Sequence, residues 1–399
     1  MTDRTRFVLL IVTAPLLAYT LVGGFLSRVV AGESTYRHLR VFEDVVSLVN
    51  NNYVEPTEAD QIMQGALWGL AEGLDPESSY LTPDEVDQYG VVSDDGDQVG
   101  IGLVLTRQYY VQVVAARDGS AAATAGLEPG DYLRMIGDQP TRMMSTVRAH
   151  QLLRGAPGST VTLTVIRGNA AEPVELDVVR SGDRSANVTS RAIPTGIGYL
   201  RVAEFDDTTA DAIEAAADTL RRQGAERLLI DLRGTATGAF ETGLDAARLF
   251  TDAATLVIRE SAVEQVPVNG TDRETSIAWP LVLLTDPGTA GAAELFAAAL
   301  TDAGRAETVG LRTAGRAAEQ SLIPLPDGGA LLLSSTRYLT ASGEPIHRAG
   351  VEPTVVVQEP MAELSQTAAT GSNLDPQSED GEDPALDRAI EHLGAMPAV

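Results

Sequence analysis

Covalent catalysis by a side chain needs an attacking hydroxyl or thiol and a neutral base within reach of its proton. This chain of 399 residues is poor in both. It has no cysteine, and its 29 Lys+Arg are all arginine, so it carries neither a thiol nor a lysine amine. Arginine stays protonated in proteins and takes no proton. The four histidines, His38, His150, His347 and His392, are scattered, with neither metal-ligand spacing nor a triad motif, so no metal and no cofactor is implied. One stretch, 281–320, nevertheless has the form of a reactive site. The hydroxyls of Thr289, at its turn, and of Ser321, next to its last residue, lack an evident base, because Glu294 and Glu319 are poor bases for a hydroxyl at neutral pH. Both hydroxyls read as cap or turn residues.

The elements around these residues are those that would position chemistry. The apolar run Leu281-Val282-Leu283-Leu284, bounded by Pro280 and by Asp286-Pro287-Gly288, reads as a buried strand entering a tight turn. Good helix formers follow over 292–300, stopped near Gly304. A strand that turns into a helix N-terminus presents free N–H groups and a partial positive charge to a developing oxyanion. Upstream, strands are expected at 197–202 and 228–232. A helix begins at the capping-box-like Thr208 and Asp211, and another covers Ala246 to Phe250. This alternation predicts crossover connections and a mixed, largely parallel sheet. Pro326-Asp327-Gly328-Gly329 turns a hairpin into the run at 331–335.

Ahead of this core lies a compact block with β-rich ends. It opens with Gly100-Ile101-Gly102-Leu103 and continues through Leu127-Glu128-Pro129-Gly130-Asp131, a helix at 146–153, the turn Arg154-Gly155-Ala156-Pro157-Gly158 and a strand at 161–165. Before it, Leu39, Phe42, Val45, Val46 and Val49 recur at helical spacing; a turn is expected at Asn50-Asn51-Asn52, a second helix from about Thr57, and a capped turn at 74–81. The N-terminus has Arg4 and Arg6 ahead of a run of apolar residues over 7–26, about a bilayer's width, and reads as an export signal or uncleaved membrane anchor. That places the remainder outside the inner membrane, in the periplasm or its equivalent. The stretch 94–97 reads as a linker. Residues 358–383 are acidic and rich in Ser, Gly and Pro, a disordered tether ahead of a short terminal helix with Leu386, Ala389, Ile390 and Leu393 on one face. Net charge −27 and pI ≈ 4.4 argue against nucleic acid as a partner and leave cationic peptides open.

The wording of several segments resembles the carboxyl-terminal processing (tail-specific) serine proteases. Members carry a strand followed by a Gly-Ser-Ala-Ser-Ala-Ser-Glu-like turn, then a Gly-Lys-Gly-Thr-x-Gln-like segment. The serine three places before the Glu is the nucleophile, the lysine its base, and the glutamine orients the lysine. Here the segments read Gly288-Thr289-Ala290-Gly291-Ala292-Ala293-Glu294 and Gly315-Arg316-Ala317-Ala318-Glu319-Gln320. Gly291 stands in the serine's place and Arg316 in the lysine's; Gln320 is kept. The family's Asp-Leu-Arg-x-Asn-Pro-Gly-Gly oxyanion loop reads Asp231-Leu232-Arg233-Gly234-Thr235-Ala236-Thr237-Gly238, which makes Thr237 and Ala292 the oxyanion positions. The string Leu74-Asp75-Pro76-Glu77-Ser78-Ser79-Tyr80-Leu81 is similar to the family's Leu-Asp-Pro-His-Ser-Ser-Tyr-Leu, with Glu77 for His. The β-rich block resembles a protease-associated PDZ domain, whose Gly100-Ile101-Gly102-Leu103 loop would capture a peptide carboxylate, the peptide adding as a strand.

The resemblance implies a ClpP/crotonase-like α/β core at 186–357, a PDZ domain at 96–180, a helical segment at 32–95, a leader at 1–31 and a tail at 358–399. Three functions stay open. The first is an inactive homologue that binds C-terminal or extended peptides, as scaffold, decoy or partner of an active relative. The second is an active serine-type endopeptidase with a non-standard nucleophile. The third is a structural exported domain. The absent base favours the first. Asp302 is given no catalytic task. Arg316 is expected to bind a substrate carboxylate or to pair with an acidic neighbour such as Glu319.

Overall fold

The computed structural model describes residues 39–89, 98–168, 172–182, 185–270, 276–358 and 383–396. The leader at 1–31 with its apolar run, the linker at 94–97 and the tether at 359–382 lie outside the described residues. The chain divides into two units, residues 1–70 and 71–399. In the first, a helix covers residues 39–52 and the helix Ala59–Glu72 begins. The expected turn at Asn50 is displaced: helix continues to Asn52, whose side-chain amide donates to Leu48 O at 2.8 Å, and Tyr53 N still bonds Val49 O.

The second unit holds three sheets. One sheet has the antiparallel order Leu103–Gln108, Tyr110–Ala116, Tyr132–Ile136, Thr160–Ile166, Val174–Val179, with Gln139–Pro140 also paired to Tyr132–Ile136. Its strands alternate as half-buried strands do: Leu103 and Leu105 face inward while Val104 and Thr106 do not. The helix Thr146–Leu153 packs Ala149 and Leu153 into this core, and Ser145 caps it by accepting from Arg148 N at 2.9 Å.

The large sheet runs Val355–Val356, Glu307–Gly310, Leu281–Thr285, Arg227–Asp231, Ile197–Val202, Val188–Ile193; every neighbouring pair is parallel except the last. Its central strands are covered on both faces, which is why they read as unbroken apolar runs. Leu228, Ile230, Leu281 and Leu283 face one core together with the helices Thr209–Arg222, Phe240–Ala247 and Ala292–Asp302. Leu229, Val282 and Leu284 face the other, under the C-terminal helix Pro384–Ala395 through Ala385, Ala389 and Leu393.

The third sheet is antiparallel: Ser79–Leu81, Ala330–Thr340, Thr255–Ser261 and Gln265–Asn269 in order, with Ala318–Pro324 also paired to Ala330–Thr340. Only its hairpin was expected from the sequence. The helix Ala292–Asp302 packs against strands of this sheet as well as of the large one, so residues 292–300 are buried on every side. One local expectation is corrected. Thr208 makes no side-chain cap; instead Asp206 Oδ1 accepts from Thr208 N, Thr208 Oγ1 and Thr209 Oγ1 at 2.8–3.0 Å.

Candidate active site and peptide groove

The turn between Leu281–Thr285 and Ala292–Asp302 places Gly291 at the start of the helix, where the resemblance sets the serine. Gly291, the N-cap of the helix, has φ 63° and ψ −119°, a region in which side chains are strained. A Cβ there would meet nothing nearer than Ala236 O at 4.0 Å. A small open space therefore stands where the resemblance places the serine. A second glycine sets the approach: a Cβ on Gly243 would lie 2.2 Å from Ala292 O, so only glycine lets the helix Phe240–Ala247 pass the start of its neighbour this closely.

Glu294, one turn into the helix and fully buried, ties the site together. Its carboxylate accepts from Gly291 N (3.2 Å), Gly315 N (2.6 Å), Arg316 N (2.6 Å) and the Thr313 hydroxyl. Burial pushes its carboxyl above the ordinary range, against the pull of these four donors. Such a group is a structural acceptor and has no lone pair free to act as a base.

Arg316 does not pair with Glu319, as its sequence proximity suggested. Its Nε and Nη2 donate to Glu77 Oε1 and Oε2 at 2.8 and 2.5 Å, a bidentate pair largely shielded from solvent. Glu319 instead accepts from Arg259 Nη2 (2.6 Å) and Tyr338 OH (2.5 Å). Burial alone would lower the arginine's affinity for its proton; Glu77 and Glu294 reverse this and hold it above the ordinary value. Gln320 has no bond to Arg316: its Nε2 donates to Ala318 O at 3.1 Å and, weakly, to Ser334 Oγ at 3.5 Å. The orienting role implied by the resemblance is thus absent.

The two hydroxyls considered as substitutes are placed elsewhere. Thr289 is sealed from solvent, with Oγ1 bonded to Leu232 O (2.9 Å) and Asp286 Oδ1 (3.0 Å). Ser321 is exposed and bonds only Ser335 Oγ, at 2.6 Å. Among the described residues no serine or threonine hydroxyl is hydrogen-bonded to a histidine. Asp302 accepts from Ser342 N and Oγ, a loop contact. At the oxyanion positions, Thr237 O accepts from Phe205 N, and the amides of Thr237 and Ala292 meet no described backbone acceptor. The Thr237 hydroxyl is buried without a partner. Such an orphan donor is rare in a settled core and fits a cleft that admits water or a ligand oxygen.

The groove lies alongside. Leu103–Gln108 is the edge strand of its sheet, and the helix Thr146–Leu153 packs against it. The amides of Gly100, Ile101 and Gly102 donate to no described backbone acceptor, while Gly102 O accepts from Arg117 N. Thr106, on the same strand, donates to Glu77 Oε1 at 2.7 Å, so Glu77 joins the groove strand to Arg316. The sequence marked Glu77 as a departure from the resembled motif but gave it no partner. It and Arg316 are 239 positions apart. The signal available was that both departures are charged and of opposite sign.

A PDZ-like block docked on an α/β core, its groove opening beside a strand–turn–helix elbow, defines a class of fold that presents extended peptides to a cleft. Comparison with known proteins makes the class specific. Residues 196–357 match the model of peptidase family S41, and residues 112–167 match a PDZ domain. The chain is 30% identical over 309 residues to a carboxyl-terminal-processing protease of Synechocystis sp., covering 74% of this chain and 71% of that one. It is 28% identical over 315 residues to the carboxy-terminal processing protease CtpA of Bacillus subtilis, covering 78% and 67%. The solved structure of a photosystem II D1 C-terminal processing protease superposes with TM-score 0.67 at 26% identity, covering 80% of this chain and 88% of that one. The chain belongs to peptidase family S41, as a homologue of the carboxyl-terminal processing proteases that bears a PDZ domain.

Proposed function

We propose that this protein is an inactive member of its family that binds the C-termini of peptides or proteins through its PDZ groove without cutting them. One observation carries the reading: the position assigned to the base holds Arg316, permanently charged and engaged on two nitrogens by Glu77, while Gly291 offers no atom to attack. The elbow, the buried Glu294 brace and the edge strand persist, so the fold supports peptide capture with the chemistry removed. We place it outside the inner membrane, tethered by residues 7–26, as a scaffold or as the partner of an active relative.

The test incubates the full-length chain with unfolded proteins ending in apolar residues and follows both cleavage and retention. We expect retention without cleavage. Serine-directed inhibition of a real cleavage activity would sink the inactive reading, and failure to retain any C-terminus would sink the binding reading.

A further inference from the structure

Resting on the reading of the PDZ groove as a C-terminus-binding site, we propose that it selects peptides carrying an aspartate or glutamate two to four residues before an apolar C-terminal residue, with Arg316 and His150 reading that carboxylate. The geometry begins at the edge strand. A peptide added antiparallel to Leu103–Gln108 has its terminal carboxylate at the unengaged amides of Gly100, Ile101 and Gly102. At about 3.3 Å per residue, Thr106 then lies opposite the residues a few places upstream. There the chain of bonds Thr106–Glu77–Arg316 brings a guanidinium to the groove's flank. Glu77 occupies Nε and Nη2; Nη1 donates to no described acceptor and is not sealed from solvent. Glu77 therefore aims the guanidinium while leaving one edge for a ligand.

His150 stands exposed on the helix Thr146–Leu153, which packs against the edge strand. Arg316, Arg117 and Arg154 each oppose a positive charge on it. The backbone N of Arg117 donates to Gly102 O at the carboxylate loop while its guanidinium meets Glu204 at 3.4 Å, and Arg154 Nη2 donates to Gln98 O at the loop's entrance. On a chain of net charge −27, a guanidinium edge left open beside the groove is a donor that discriminates among ligands more than it adds raw affinity.

The probes are fluorescent decapeptides ending in Val, with Glu, Gln or Lys at the third to fifth positions from the end, each with a free or amidated C-terminus, titrated into the full-length chain. We expect the Glu peptides to bind about five- to tenfold more tightly than the Gln peptides, with Lys weakest. Salt should shrink this preference. In Arg316→Gln the Glu-over-Gln preference should vanish while the free-over-amidated preference remains. His150→Gln, at an exposed position that a folding defect does not threaten, should reduce it about twofold or more. Equal binding of Glu and Gln peptides by the native chain overturns the selectivity while leaving C-terminus binding intact. No discrimination between free and amidated ends overturns the groove reading itself.

Discussion

At the scale of single residues, the pairing of Arg316 with Glu77 decides more than the loss of the serine. Restoring Gly291→Ser and Arg316→Lys together would seem to rebuild the dyad, but a lysine at 316 would sit against the Glu77 carboxylate, which favours its protonated form. We expect the double variant to show no turnover in a peptide-cleavage assay. The triple variant with Glu77→His should show the first measurable turnover, limited by the altered loop at Thr235–Thr237. Serine at 291 would also adopt φ near 63°, at a cost of about 1–3 kcal/mol, with room for its Cβ. Glu294 gives a second test. Glu294→Ala strands four donors around a buried void, and we expect a loss of about 3–5 kcal/mol, read as a lower urea midpoint at unchanged slope. The substitutions Gly291 and Arg316 are legible in the sequence because each sits in a short motif. The partner Glu77 is not, because the contact spans two distant segments.

At the scale of elements, local pattern carries far. The strand 281–285, the helix 292–302 and the helix 146–153 follow from apolar run, helix-former content and turn residues. What pattern does not carry is how ends are fastened. The C-terminal helix is held by Asp383, whose Oδ1 caps it through Leu386 N at 2.9 Å and whose two oxygens accept from Arg233 Nη1 and Nη2 at 3.0 and 2.9 Å. Arg233 in turn holds Asp231, at the end of the strand that leads into the oxyanion loop. Asp383→Ala should cost about 1–3 kcal/mol, from the cap and the charge-assisted pair together. Hydrogen exchange should quicken in 384–395 first, before the large sheet. The antiparallel sheet is the other element pattern missed: its strands are separated by up to 250 residues of chain, and period-2 runs do not name their partners.

At the scale of the second unit, the PDZ domain and the core are joined by polar contacts rather than by one shared apolar core. Arg201 of the large sheet reaches Asp118 with Nε and Nη2, both at 2.9 Å, and Arg117 meets Glu204 at 3.4 Å; toward the helical segment, the Ser145 hydroxyl donates to Glu85. Asp118→Ala leaves the poorly exposed Arg201 with Asp231 at 3.9 Å as its remaining acidic neighbour. We expect a cost of about 2 kcal/mol, smaller than for a fully buried pair because Asp118 is a third exposed. Limited proteolysis between the PDZ domain and the core should accelerate. Acid should weaken the fold in two stages. His347 is lowered by burial. A histidine with a lowered folded value stabilises least when charged, so stability is whole above about pH 6.5 and declines as pH falls from there. Asp231 is pushed up by burial but held low on balance by Arg233 and Arg201, so its contribution is lost only further down. Denaturant midpoints between pH 7 and 4 should therefore fall, and His347→Gln should flatten part of the slope.

The sequence by itself determined the family, the order of the core elements and which residues stand at the motif positions, because these reside in residue identities and short-range spacing: the chain has no lysine, and glycine at 291 has no side chain. Tertiary structure alone decided what the arginine does. Glu77, Thr106 and Arg316 come from the N-terminal turn, the PDZ edge strand and the core, and only the packing of all three brings the two charges and the groove strand within hydrogen-bond reach.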